Sequence, residues 1–396
     1  MITPVNVIYF LFALSLFQST YASFLANSIY SLLVFFLFSR TFSFAKTNFY
    51  LLFILFLVLS FLLSLSYLLS SHSLQIGLTD FLLSFRNFCI VLVSCFLADF
   101  IFVTSKPTVF FRLVTFVFLV NVFVVSLDHL TGIYIFSFLR PIVDTYGNQL
   151  DPLTGGGRPL GIFLNPNTSS YFSGIYLFFL FLVIRHWPAR FTSFLLSVFF
   201  LSFVGSRSPL FIYQASVIFY LFASILLRKK SFSISRAFVL LSSFVFILCS
   251  VCLCFQFQLA NVFHSQNIVQ VVDLVFPMAS NSARVILDQF FNLLPSYSIV
   301  YSCLLPSSYS IFNDSIEFIG LHGNEISLRY FLIAFSLPIA SIICFWLFRI
   351  TGVFSFFLAF SLLHYHIAFT PLLLVMCVLF HRYFLSNIRL AGNSLV

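Results

Sequence analysis

Twelve apolar runs, cut apart by short polar or basic breaks, decide what this chain can fold into. They cover roughly residues 4–20, 22–39, 49–70, 82–103, 109–127, 169–184, 191–204, 209–227, 237–255, 326–348, 353–367 and 369–381. A bilayer core takes about 20 apolar residues per helix. The expectation is an all-α polytopic membrane protein of about 12 transmembrane helices, the last two runs being either separate spans or one broken hairpin around Pro371. The chain is 61% hydrophobic and 7% charged, against about 25% charged in soluble domains. No water-soluble fold could hide that much apolar surface. The 62 Phe residues read as a bias among interchangeable lipid-facing positions, not as a site. With no internal repeat, low-complexity linker or soluble domain, residues 1–396 form a single integral membrane domain.

Two features could mislead. Residues 7–17 followed by Thr20-Tyr21-Ala22 imitate a signal peptide, but no Lys or Arg precedes Arg40, so the basic n-region is missing and the segment reads as the first membrane helix. Of eight Cys, seven lie in apolar runs and only Cys303 in a polar loop. The Cys252-x-Cys254 spacing fits no redox or metal motif, and small buried hydrophobes are the reading.

The basic residues orient the bundle. With the N-terminus in the cytoplasm, Arg40, Lys46, Lys106, Arg112, Arg185, Arg190, Arg228, Lys229, Lys230, Arg236, Arg349, Arg382 and Arg389 fall inside, 13 of the 19 and all four Lys. Only Arg86, Arg140, Arg158, Arg207, Arg284 and Arg329 fall outside, together with every acid except Asp99. Both termini are then cytoplasmic. The net charge of +9 suits anionic membrane lipids and gives no reason to invoke nucleic acid.

Two larger outer loops follow, about 128–168 and about 256–325. Within them Ile133–Leu139 and Ile268–Phe276 are apolar enough to lie on the membrane or on the bundle. Outer Arg residues need a reason, and a guanidinium is suited to phosphate by its rigid bidentate fork. Arg158 follows three glycines and leads to Asn165-Pro166-Asn167, a turn in which Asn167 or Thr168 can cap the next helix. Arg207 stands in Gly205-Ser206-Arg207-Ser208-Pro209, where it either snorkels to the interface or meets a ligand. Arg284 would open a short amphipathic helix, paired with Asp288 at i+4 or answering to an anion. In Leu321-His322-Gly323-Asn324-Glu325, Glu325 reaches Arg329 at i+4, a structural role. His322 is either a loop histidine near headgroups or a base for a sugar hydroxyl. His364 and His366 point to different helix faces and make a poor metal pair. No HExxH, P-loop, GxSxG or Asp-rich metal motif occurs, so no metal and no cofactor is expected.

These four constellations, in this order and on this side, resemble the O-antigen polymerase and O-antigen ligase superfamily. Arg158-Pro159-Leu160-Gly161 through Asn167 is similar to its opening of a middle helix, Ser206-Arg207 to its helix-end motif, Ala283-Arg284-Val285 to its Gly-Arg motif, and His322 to Asn324 to its His-Asn motif. In the family His and Asn are adjacent. Here Gly323 separates them, so either His322 or Asn324 keeps the family geometry. The resemblance covers about residues 155–340.

The resemblance implies a GT-C-like, metal-independent glycosyltransferase of the bacterial inner membrane with its active site facing the periplasm. Its donor is a glycan linked through diphosphate to undecaprenol. Arg207 and Arg284 would bind the diphosphate and stabilise the departing charge in place of a metal, and His322 would orient or deprotonate the acceptor. Arg158, Asn165, Asn167, Asn324 and Glu325 would contact diphosphate and glycan. A chain-length regulator is a further implied partner. Polymerase is favoured; transfer of the polymer to lipid A core by a ligase is the alternative. A lipid-linked oligosaccharide transporter is the reading of another class, disfavoured because the spans are nearly charge-free and no inverted repeat is visible.

Overall fold

The computed structural model describes residues 107–132, 161–163, 166–227, 231–255, 327–364 and 371–393, with Ala98 and Pro159. The three runs expected before residue 82, most of the 82–103 run, the 256–325 loop and His366 lie outside the described residues. Every described element is helical: α1 (Pro107–Thr131), α2 (Pro166–Val183), α3 (Trp187–Val204), α4 (Arg207–Leu226), α5 (Ser231–Phe255), α6 (Ser327–Thr351), α7 (Ser355–His364) and α8 (Pro371–Asn393).

The boundaries have local causes. Pro107, Pro166 and Pro371 are the first residues of α1, α2 and α8, and Pro188 lies in the first turn of α3. The missing N–H of proline costs nothing there and its φ is already helical. Gly205 ends α3 with φ 76°, its N–H returning to the Ser202 carbonyl, a left-handed cap that glycine adopts without strain. Ser206 then starts α4 from an extended conformation.

Among the described residues, five stretches are long and apolar enough to cross a membrane: Phe110–Thr131, Trp187–Val204, Ser208–Leu226, Ile234–Val251 and Ala340–Leu362. The last is bent at Gly352, whose φ is 51°. The expected separate spans 326–348 and 353–367 become α6, which runs on to Thr351, and α7, described over only 10 residues, about 15 Å at 1.5 Å per residue. The connection Gly352–Phe354 is wholly buried. A methyl group at Gly352 would strike the His381 ring, which lies against it.

Burial divides the helices sharply. In α2, 14 of 18 residues are buried, and this helix packs on α1, α3, α4 and α8. In α3 only Ser197, Leu201 and Val204 are buried, while Phe191, Leu195, Leu196 and Phe199 are exposed. Phe116 and Phe123 of α1, Ile218 and Phe222 of α4, and Leu240 and Phe244 of α5 continue the exposed apolar shell. In water such a surface would associate; against lipid it is the expected exterior.

The phenylalanines are not all lipid-facing, as the composition suggested. Phe110, Phe172, Phe178, Phe238, Phe354, Phe357 and Phe380 are fully buried. Phe179 stacks on Phe111 at 5.0 Å and on Phe380 at 4.2 Å, so three rings join α1, α2 and α8. Phe354 meets Phe178 edge-on at 5.4 Å and ties the buried turn to α2. Such pairs add about 0.5–1.5 kcal/mol beyond area burial.

Candidate functional site

Two sequence constellations come together at one end of the bundle. Because α3 is a hairpin partner between them, α2 and α4 run parallel, and their first turns are neighbours. The Ser206 hydroxyl donates to Asn167 Oδ1 at 2.8 Å. Two turns further along α2, a methyl at Gly174 would lie 3.9 Å from the Pro209 carbonyl oxygen in the first turn of α4. Ser206 is 2% exposed and makes no side-chain cap to α4. Its hydroxyl serves the α2–α4 contact instead of the first amides of its own helix. Those amides carry the partial positive charge of the helix start, and Arg207 is the first residue of α4. Free amides of this kind at a helix start are the groups that can meet an anion.

Below the contact, the first half of α2 is polar and buried. Thr168, Ser169, Ser170 and Ser173 are all 2% exposed or less. Ser169 and Ser173 face α1, where the Asn121 carboxamide donates through Nδ2 to Ser169 Oγ at 2.8 Å and to Ser173 Oγ at 3.3 Å. Ser169 donates back to Asn121 Oδ1 at 3.1 Å. Two turns nearer the other end, the Thr115 and Tyr176 hydroxyls are hydrogen-bonded at 2.8 Å.

The stretch before α2 is held from the same helix. Gly161 donates its N–H to Asp128 Oδ2 at 3.1 Å, and Ile162 donates to Asn121 Oδ1 at 3.2 Å. Gly161 has φ 65°, and a methyl there would run into Asn121 Oδ1 and lie 2.8 Å from Ser169 Oγ. Both the backbone angle and the space demand glycine. Pro159 is buried, and Phe163 packs on Phe172 at 4.8 Å between centroids. The segment expected as the end of an outer loop therefore runs inside the protein at Pro159 and at 161–163.

Of the residues expected to carry function, Asn167 and Arg207 are brought together by this arrangement, Arg207 by its backbone position. Arg158, Asn165, Arg284, His322, Asn324 and Glu325 lie outside the described residues. Asn121 was missed in the sequence, and Asp128 was read only as a marker of topology. The signal was there: an Asn and an Asp seven residues apart on one face of a mostly apolar helix, with Val125 between them. Among the described residues, no group of three or more His, Cys, Asp or Glu side chains could hold a metal ion. Cys344 and Cys377 are buried among apolar side chains. Comparison with protein-family models, with curated proteins and with solved structures gives no match.

Proposed function

We propose that the chain is an O-antigen polymerase of the bacterial inner membrane. It transfers a glycan chain from undecaprenyl diphosphate to the non-reducing end sugar of another lipid-linked repeat unit at the periplasmic face. The full bundle has about twelve helices, a GT-C-like architecture and both termini in the cytoplasm. The observation that carries the reading is the 2.8 Å hydrogen bond from Ser206 to Asn167, since it joins two motifs 39 residues apart that the polymerase reading requires at one site.

The chemistry follows from the residues. The acceptor sugar hydroxyl attacks the anomeric carbon of the donor and loses its proton to His322. The bond from that carbon to the diphosphate oxygen breaks, and undecaprenyl diphosphate leaves with the electron pair. The start of α4, Arg207 and Arg284 stabilise the departing charge, which grows in the transition state and is best met by preorganised donors. Arg158, Asn165, Asn167, Asn324 and Glu325 hold the diphosphate and the glycan. The lipid-exposed apolar shell suits a substrate whose tail never leaves the bilayer. The charge distribution supports the orientation: Arg185 and Arg190 flank the α2–α3 connection, opposite the end where Ser206 lies.

The test is deletion and complementation, read on a polysaccharide gel. Loss of long chains with one repeat unit still attached to lipid A core is the expected phenotype; polymer accumulating on undecaprenol would mean a ligase instead. Arg207→Ala, Arg284→Ala and His322→Ala should each lower polymer formation by about 100-fold or more. Normal polymer from all three would sink the site assignment.

A further inference from the structure

Irregular backbone at membrane depth is stable only where the protein satisfies its polar groups. The turn 161–163 is such a piece, and α1 supplies the partners. Asn121 is completely buried about 15 Å from the end of α1, taking 1.5 Å per residue. Its Oδ1 accepts from Ile162 N–H and Ser169 O–H, while its Nδ2 donates to Ser169 and Ser173. One carboxamide thus clamps α1, the turn and α2. Asp128, two helical turns along the same face, takes the neighbouring Gly161 amide.

We infer that Asn121 and Asp128 are positioning residues for glycan transfer: they set the depth of the turn 161–163 and, with it, the place of Asn167 at the start of α2. Asn167 is five residues after Ile162 and two before Ser169, and Asn121 holds both Ile162 and Ser169. The inference rests on the reading of Asn167 as a diphosphate and glycan contact. A merely structural Asn121 would act like the Thr115–Tyr176 pair, which joins the same two helices without touching the turn. Thr115→Val is therefore the control.

The experiment uses the full chain in phosphatidylethanolamine–phosphatidylglycerol nanodiscs, with lipid-linked repeat units extracted from the deletion strain. Hydrogen exchange is followed in a peptide covering 159–168. Asn121→Leu should speed exchange of the turn amides and raise KM about tenfold, with kcat within about threefold. Thr115→Val should leave both unchanged. Asn121→Asp keeps an oxygen facing Ile162 and should return KM to within threefold of the parent. Should Asn121→Leu not fold, Asp128→Ala against Asp128→Asn reads the same effect at Gly161, the Asn variant retaining an acceptor. Unchanged exchange in the Leu variant, or faster exchange with an unchanged KM, overturns the inference. Faster exchange in a protein whose parent makes no polymer overturns the transfer reading, and the positioning role with it, while leaving the clamp as structure.

Discussion

α2 and α3 are neighbours of equal length, 18 residues each, and they are inverted with respect to each other. α2 opens with Asn, Thr and Ser residues and is almost wholly buried; α3 carries the apolar run Phe194–Val204, yet only three of its residues are buried. In a protein surrounded by water the assignments would be the reverse. Lipid removes the penalty for exposing Phe and Leu, and raises the one for exposing Ser and Asn. Polar side chains then go inward, where Asn121, Ser169 and Ser173 satisfy each other. Helix–helix contact in lipid depends on packing and such hydrogen bonds more than on apolar burial. The polar half of α2 is also the half nearest Ser206 and the start of α4.

The largest effect that would break this comparison is a cavity. Phe178→Ala in α2 removes a fully buried ring touching Phe354, Phe357 and Phe238 and should cost about 3–5 kcal/mol. Phe199→Ala in α3, where the ring is 70% exposed, should change stability by about 0.5 kcal/mol or less. Reversible unfolding in mixed micelles reads both, and equal losses would mean that α3 is buried after all. Next comes charge: Leu196→Arg on the exposed face of α3 should lower membrane insertion by about 2.5–3.5 kcal/mol, measured as the inserted fraction in a translocation assay. A small effect is expected from Thr115→Val, which removes one interhelical hydrogen bond and should cost about 0.6 kcal/mol and no more than about 1.7. A larger loss would show that the polar seam between α1 and α2 holds them together more strongly than packing does.

Among the described residues, most helix positions were legible. The runs 109–127, 169–184, 191–204, 209–227 and 237–255 became α1 to α5 with ends moved by a few residues, because proline, glycine and basic residues break both the hydropathy and the helix at the same places. The centrality of α2 was not legible. Hydropathy measures transfer out of water and cannot separate a Phe facing lipid from a Phe facing another helix. Hence Phe178 and Phe199, alike in the sequence, have opposite surroundings. The loop–helix junction was half legible. Asn167 stood out as a helix cap and Ser206-Arg207 as a helix-end motif, whereas Asn121 and Asp128 act through a turn 33 to 41 residues later in the chain, a pairing that local pattern does not reveal.

The central claim is that the starts of α2 and α4 act as one unit in glycan transfer. A double-mutant cycle on Asn167 and Ser206 tests it most directly, with the rate of chain extension on extracted lipid-linked repeat units as the readout. The account predicts that Asn167→Ala, Ser206→Ala and the double variant are all slowed by a similar factor, about tenfold, because either change breaks the same contact. Losses that multiply to about a hundredfold in the double variant, or full activity in all three, would contradict it.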